Sequence, residues 1–327
     1  MKTETCVRDV SWEVAENPAF TACPSPAVSV VITLYNYAAY IGGCLDSARA
    51  ARTEGLPGGF EVVIVDDCSK DNSVAVAEKY LATSPLPIRL VKKSANTGLA
   101  DARNIGLLQA RAPYVFTLDA DNEIRPDCLR EHYAALSGTD FAASYAIINR
   151  FDHTTRASVG TMSDVGWSVA RLVSGPCIDA MAMVRKEAVL RLGGYSVEYG
   201  GHLPQGWEDY DLWLKLAMAG YAAKFIPKIL SDYRVHGQSM LQALNPHQGR
   251  LAAHFTRKFL PLIAAHNDQP VLFGIPRREL LMYCSQGRGL QFTTGKLPPR
   301  FIHKLLGKKL TRSIGKRLAD IFFWLHP

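Results

Sequence analysis

The sequence predicts an α/β protein built on a doubly wound, mostly parallel sheet, and two observations carry that expectation. From Val28 onward short β-rich runs alternate with helix-like segments, which implies parallel strands joined by right-handed crossovers. Each of the first four runs is followed at once by a polar cluster, and in such sheets ligands bind beyond the carboxyl ends of the strands.

Strands are expected at VSVVITL (28–34), FEVVIV (60–65), IRLVK (88–92) and YVFTL (114–118), with helices around residues 40–52, 73–82 and 99–110 between them. Thr33, Tyr35 and Asn36 stand at and beyond the end of the first strand. DDCSKDNS (66–73) follows the second, SANTGLADARNIG (94–106) the third and DADN (119–122) the fourth. One polar loop is ordinary, but four on one rim make a polar site. From about Phe141 the pattern is less regular: FAASYAII and DAMAMV read as strands, WEDYDLWLKLAMAGY as a helix, and AKFIP with KILSDYRVH as a returning strand pair. With no internal repeat and no low-complexity linker, one continuous domain is expected over 27–240. A partly disordered leader over 1–26 precedes it and a helical extension over 241–327 follows.

At 327 residues and 48% hydrophobic content the chain can bury a sizeable core, yet no apolar run reaches the ~18 residues that a membrane-spanning helix needs. The N-terminus scatters charges where a secretory signal would carry an apolar stretch. The seven cysteines are odd in number and widely spread, without C-x-x-C, which speaks against a disulfide framework and a zinc site. A reducing cytoplasm is the expected location. The net charge of +7 belongs to one segment, where Arg300, Lys304, Lys308, Lys309, Arg312, Lys316 and Arg317 occur without an acid among them. Ile302, Leu306, Leu310, Ile314, Leu318 and Phe322 recur there every four residues. Two readings stand: a basic amphipathic helix at an anionic membrane, or a terminal helix docked on its own domain. Gly307 and Gly315 weaken the helix in both. No nucleic-acid recognition motif accompanies the basic run, so a nucleic-acid partner is not expected.

In YVFTLDADNEIRP a buried-looking strand delivers Asp119 and Asp121, one residue apart. Two carboxylates on one rim repel each other, and a divalent cation removes that repulsion. Mg²⁺ or Mn²⁺ takes oxygen ligands and completes its shell with water and substrate phosphates. Taken alone, the pair is also what a turn with a helix cap requires.

With its neighbours the motif resembles glycosyltransferase family 2, the inverting nucleotide-sugar transferases of the GT-A fold. The resemblance is carried in order by VSVVITLYNYAAYIGGCLDS, VIVDDCSKDNS, NTGLADARNIGLLQA, TLDADNEI, VRKEAVLRLGGYSVEY, WEDYDLWLKLAMAGY and YRVHGQS, over about Ala27 to Met240. It implies that Thr33 and Tyr35 line a base pocket and that Asp67 accepts from the imide hydrogen of a uracil-type base. Asn96 would help form a tight turn, and Arg103 would face phosphate or base. Asp119 would serve ribose and metal-bound water, Asp121 would coordinate the metal directly, and His236 would be a further ligand. Asn122 stands where the family often has a third acid, which costs negative charge.

Inversion at an anomeric carbon requires a base on the face opposite the departing diphosphate. The resemblance assigns that role to Asp209, in the first turn of a helix whose stripe Leu212, Trp213, Leu216 and Ala217 faces the core. Helix first turns favour acids in any case, a purely structural account of the same residues. Glu208 would position the acceptor, Trp207 would wall a sugar ring, and the glycines at 193 and Gly194 would admit acceptor backbone approach. The implied partners are a nucleotide-sugar donor and a glycan or lipid-linked acceptor, with an anionic membrane surface for the tail. A dinucleotide oxidoreductase would show G-x-G-x-x-G after the first strand, and a nucleotidyltransferase a glycine-rich basic loop; LYNYAAYIGG is neither. A non-catalytic binding or scaffold protein on the same fold is the remaining alternative.

Overall fold

The computed structural model describes residues 7–198, 206–236, 248–266, 268–277 and 279–280. The basic segment at 300–317 and the motif ends at 199 and 237–239 lie outside the described residues.

The N-terminal part runs β1 (Trp12–Glu16), α1 (Pro18–Ala22), β2 (Val28–Leu34), α2 (Ile41–Arg49), β3 (Phe60–Asp66), α3 (Ser73–Thr83), β4 (Ile88–Lys93), α4 (Leu99–Gln109) and β5 (Tyr114–Asp119). Then come β6 (Glu123–Ile124), α5 (Cys128–Leu136), β7 (Ala143–Asp152), β8 (Ser158–Met162), α6 (Val169–Ser174), β9 (Ala182–Arg185), α7 (Lys186–Arg191), α8 (Glu208–Met218) and β10 (Ala223–Val235). The last are α9 (Gln248–Lys258), α10 (Leu260–Ala265), β11 (Val271–Leu272) and β12 (Ile275–Pro276).

Among the described residues ten strands form one sheet in the order β1-β4-β3-β2-β5-β9-β7-β10-β6, with β8 beside β7. Strands β4, β3, β2 and β5 pair in parallel, as expected. Every residue of β2 and β3 is buried, the condition of strands covered on both faces. Helix α4 lies close on β2: a Cβ at Gly106 would stand 2.2 Å from Val31 Cγ1, so this glycine is a packing requirement.

Three features depart from the sequence reading. The segment read as a leader supplies β1, antiparallel to β4, and α1. Asn17 caps α1 by accepting from Phe20 N–H at 3.0 Å, and the Arg111 guanidinium lies 3.6 Å from the Phe20 ring centre. The pair AKFIP and KILSDYRVH is one strand, β10, parallel to β7. Pro227, which has no N–H to give the ladder, sits where the register slips between Ile226 and Ile229, so it bulges the strand and does not end it. Finally, β9 enters antiparallel between β5 and β7, making the sheet mixed but mostly parallel.

Residues 1–167 and 177–245 form one compact unit, which holds the ten-stranded sheet. Residues 168–176 and the described residues between 248 and 280 form a second, where Phe255 meets Phe259 and Phe273 edge to face at 5.3 and 5.5 Å. Among the described residues no helix is long and apolar enough to cross a membrane.

Candidate active site

The rim beyond β2 and β3 is latched by short polar bonds. Asn36, left-handed at φ 57°, donates its N–H to Ser69 Oγ at 3.0 Å and accepts from Lys70 N–H at 2.7 Å. Tyr37 N–H donates to Ser73 Oγ at 2.9 Å. Beside this latch Tyr35 stands 41% exposed, available to stack on a planar ligand. Thr33 is buried and its Oγ1 has no partner, an orphan polar atom in register with Asp119. Asn96 is exposed.

Behind this rim lies a closed ionic cluster. The Lys93 ammonium is fully buried and donates to Asp67 Oδ1 at 2.6 Å, to Asp101 Oδ2 at 2.8 Å and to Thr97 Oγ1. Its three donors are thereby satisfied. Asp67 also accepts from Thr97 N–H at 3.0 Å and Gly98 N–H at 2.9 Å, which folds the turn into α4, where Gly98 takes φ 99°. Much of its accepting capacity thus serves the turn, and Oδ2, with one donor, has a lone pair left for a base edge.

The second cluster gathers at the tip of β5 and the start of α8. Arg103, 3% exposed, donates from one nitrogen to Asp119 Oδ1 at 2.9 Å and from the other to Glu208 Oε1 at 2.8 Å. Its Nε is without a partner. Burial disfavours its charge, but Asp119 and Glu208 more than offset that and keep the guanidinium protonated. Asp121 Oδ2 lies 2.9 Å from His236 Nε2, and the imidazole stacks on Tyr40 at 5.0 Å. Burial, then the charge of Asp119, raises the Asp121 carboxyl, while His236 pulls it the other way. Asn122 accepts from Arg234 N–H at 2.9 Å, tying the aspartate turn to β10.

Helix α8 begins from an unusual approach: Gly206 at φ 100° and Trp207 at φ 65°. A left-handed tryptophan is strained, and such strain is held only where the surroundings impose it. The turn sets Glu208 and Asp209 at the positive end of the helix, facing the β5 tip. Asp209 is partly exposed, and its Oδ1 accepts from Tyr210 N–H at 2.7 Å. Burial, then the charges of Glu208 and Asp179, push its carboxyl up to about 8, against the pull of Arg103. Trp207 is buried with its ring edge to face on Tyr210 at 5.5 Å. Gly194, at φ 69°, is buried; its N–H donates to Val189 O at 3.0 Å, ending α7, and its carbonyl accepts from Lys215 Nζ.

Sequence reasoning missed Lys93, Asp101 and Asp179. Lys93 and Asp101 become partners only when β4 and α4 pack together. Asp179 stands just before β9 in a stretch whose only cue was an acid ahead of an apolar run.

Among the described residues no three His, Cys, Asp or Glu side chains converge closely enough to cage a metal. Asp119 is turned to Arg103, while Asp121 and His236 meet directly. This oxygen-rich set, with two acids repelling each other, fits a cation that brings phosphate and water ligands of its own.

The family description "Glycosyl transferase family 2" matches residues 29–193, half of the chain. The chain belongs to glycosyl transferase family 2. Teichoic acid poly(glycerol phosphate) polymerase of Staphylococcus epidermidis is 33% identical over 113 residues, 35% of this chain and 15% of that protein. Chondroitin synthase of Escherichia coli is 28% identical over 218 residues, 65% of this chain and 30% of that protein. The chain therefore spans well under half the length of these two relatives. Among solved structures, S. aureus TarS in complex with UDP-GlcNAc superposes with TM-score 0.53 at 18% identity, covering 90% of this chain and 77% of that one. Mannosyltransferase PcManGT from Pyrobaculum calidifontis, in complex with GDP-Man and Mn²⁺, gives TM-score 0.56 at 20% identity, covering 96% and 86%. At these identities the likeness establishes the GT-A fold.

Proposed function

We propose that this chain transfers a sugar from a nucleoside-diphosphate donor, a UDP-sugar by the match at Asp67, to a hydroxyl of a glycan or lipid-linked acceptor, with inversion. One observation carries the reading: Asp119 and Glu208 share the guanidinium of Arg103, Asp121 and Asp179 lie within electrostatic reach of Asp119, and Asp209, beside Glu208, is held up at about 8. A carboxylate of that basicity takes a proton far more readily than an ordinary aspartate.

In this mechanism Asp209 accepts the proton of the acceptor hydroxyl as that oxygen attacks the anomeric carbon. Arg103 fixes Asp119 and Glu208 and adds positive charge beside the departing diphosphate. Thr33, Tyr35, Asp67 and Asn96 bind the nucleoside, the unpartnered Thr33 hydroxyl finding its partner there. Glu208 orients the acceptor, with Trp207 and Gly194 forming the wall behind it. A divalent cation, Mn²⁺ or Mg²⁺, held by Asp121 with Asp119 and His236, would supply the charge that stabilises the leaving nucleoside diphosphate.

The basic amphipathic pattern between Arg300 and Arg317 supports a membrane-adjacent acceptor and a peripheral position on the cytoplasmic face. Sedimentation with anionic vesicles tests it: a chain ending before Arg300 should lose binding, and unchanged binding refutes this part. The activity itself is tested with a panel of nucleotide-sugars, with and without Mn²⁺. Metal-dependent hydrolysis or transfer is expected, and nucleotide binding with no turnover on any donor or acceptor would favour the scaffold alternative.

A further inference from the structure

We infer that Asp179 determines donor specificity, its free carboxylate oxygen accepting a hydrogen bond from a hydroxyl of the sugar being transferred. The inference rests on the transferase reading above and deepens it. Strand β9 pairs antiparallel with β5 in the register Tyr114↔Arg185, Val115↔Val184 and Phe116↔Met183. Because the pairing is antiparallel, the residues that lead into β9, Asp179 among them, arrive at the C-terminal end of β5, where the two aspartates stand. Its backbone is pinned there by donation of its N–H to Ser163 Oγ at 2.9 Å.

Within the carboxylate cluster Asp179 is differently equipped from its neighbours. Asp119 and Glu208 have Arg103, and Asp121 has His236. Asp179 Oδ1 accepts from Met181 N–H at 2.9 Å, and among the described residues no donor meets Oδ2. The residue interacts electrostatically with Asp119, Arg103 and Asp121 and with Asp209. It is thus within electrostatic reach both of the acids proposed for the diphosphate and of the acid proposed as base, and the transferred ring must lie near both. Burial and the charge of Asp119 hold its carboxyl up at about 6, against the pull of the Met181 N–H and Arg103. An acceptor-only group in that position recognises a neutral hydroxyl donor. The Thr33 hydroxyl, buried and unpartnered in register with Asp119, is an independent sign that this rim is completed by a ligand.

The test compares the full chain with Asp179→Ala and Asp179→Asn. Each is given the nucleotide-sugar found active in the panel and its monodeoxy forms. The wild type should discriminate against one deoxy form by about 10–100-fold in kcat/KM, the range of a charge-assisted hydrogen bond. In Asp179→Ala that preference should fall to within about twofold, with preferences at other ring positions and UDP affinity unchanged. Asp179→Asn, which keeps an acceptor oxygen, should retain part of it and guards against misfolding of the alanine variant. Full discrimination in both variants, or loss of UDP affinity with discrimination intact, overturns the assignment while leaving the transferase reading standing. A wild type that turns over no nucleotide-sugar overturns both.

Discussion

Beside β4 the protein pairs its buried acids from within: Lys93 meets Asp67, Asp101 and Thr97, and every donor on the ammonium is used. At the tips of β5 and α8 Asp119 and Glu208 are paired with Arg103, while the carboxylates of Asp179 and Asp209 accept from backbone N–H groups and feel Arg103 without an ion pair among the described contacts. The two clusters share the C-terminal rim of one sheet, so the difference does not come from the fold class. The first shapes the turn into α4 and has its cation in place before any ligand arrives. The second is left electrostatically unfinished, the condition under which positive charge, phosphate-bound cation or a proton is drawn in.

The contrast predicts opposite responses to losing a charge. The largest effect is on turnover. Asp209→Asn should lower kcat by about 10²–10⁴-fold, the range for removing a general base, with UDP affinity retained by calorimetry. An active Asp209→Asn enzyme breaks the assignment. In the wild type, kcat/KM should rise with pH toward a plateau above about 8, since Asp209 acts only when ionised and its carboxyl is held up there. A flat profile between pH 6 and 9 would contradict this.

Next in size is the closed cluster. Lys93→Met leaves Asp67 and Asp101 buried against each other without a cation and should cost about 3–5 kcal/mol of stability in urea unfolding. A cost below about 1 kcal/mol would mean that the cluster is not closed. At the open cluster, Mn²⁺ with UDP at a hundredfold excess over Kd should stabilise the wild type by about 2.7 kcal/mol. Asp121→Ala should lose the metal-dependent part of that gain, read as a thermal shift.

The smallest effect has the reverse sign. Asp209 titrates higher in the folded state than its ordinary 3.8, so the folded protein binds that proton more tightly than the unfolded chain. Stability from this group is full at low pH and is lost as pH rises through about 8. Asp209→Asn should therefore raise Tm at pH 9 by roughly 2–4 °C, about 1 kcal/mol for a unit of this size, a modest gain because water screens a partly exposed carboxylate. Little or no gain is expected at pH 5.

How much of this was legible differs between halves. Strands β2 to β5 and helices α2 to α4 lie within a few residues of where alternation put them, because strands buried on both faces leave a continuous apolar run. The edge strand β1 escaped notice because it is short, mostly exposed and interrupted by Glu13 and Glu16, and β10 was split in two because proline ordinarily ends a strand. Among site residues, Arg103 joins Asp119 to Glu208 and acts electrostatically on Asp209, and Asp121 meets His236. Trp207 and Gly194 turn out to be buried in local structure, and no motif pointed to Asp179 or to the Lys93 cluster.

The sequence by itself determined the parallel core, the rim on which polar residues collect and the family to which the order of motifs belongs. These follow from local rules: periodicity, turn residues and the short spacing within each motif. Only the tertiary structure decided which acids are neutralised and which are left exposed to one another. Residues 105 positions apart, such as Arg103 and Glu208, acquire their charges' meaning from a distance of 2.8 Å that the linear chain does not contain.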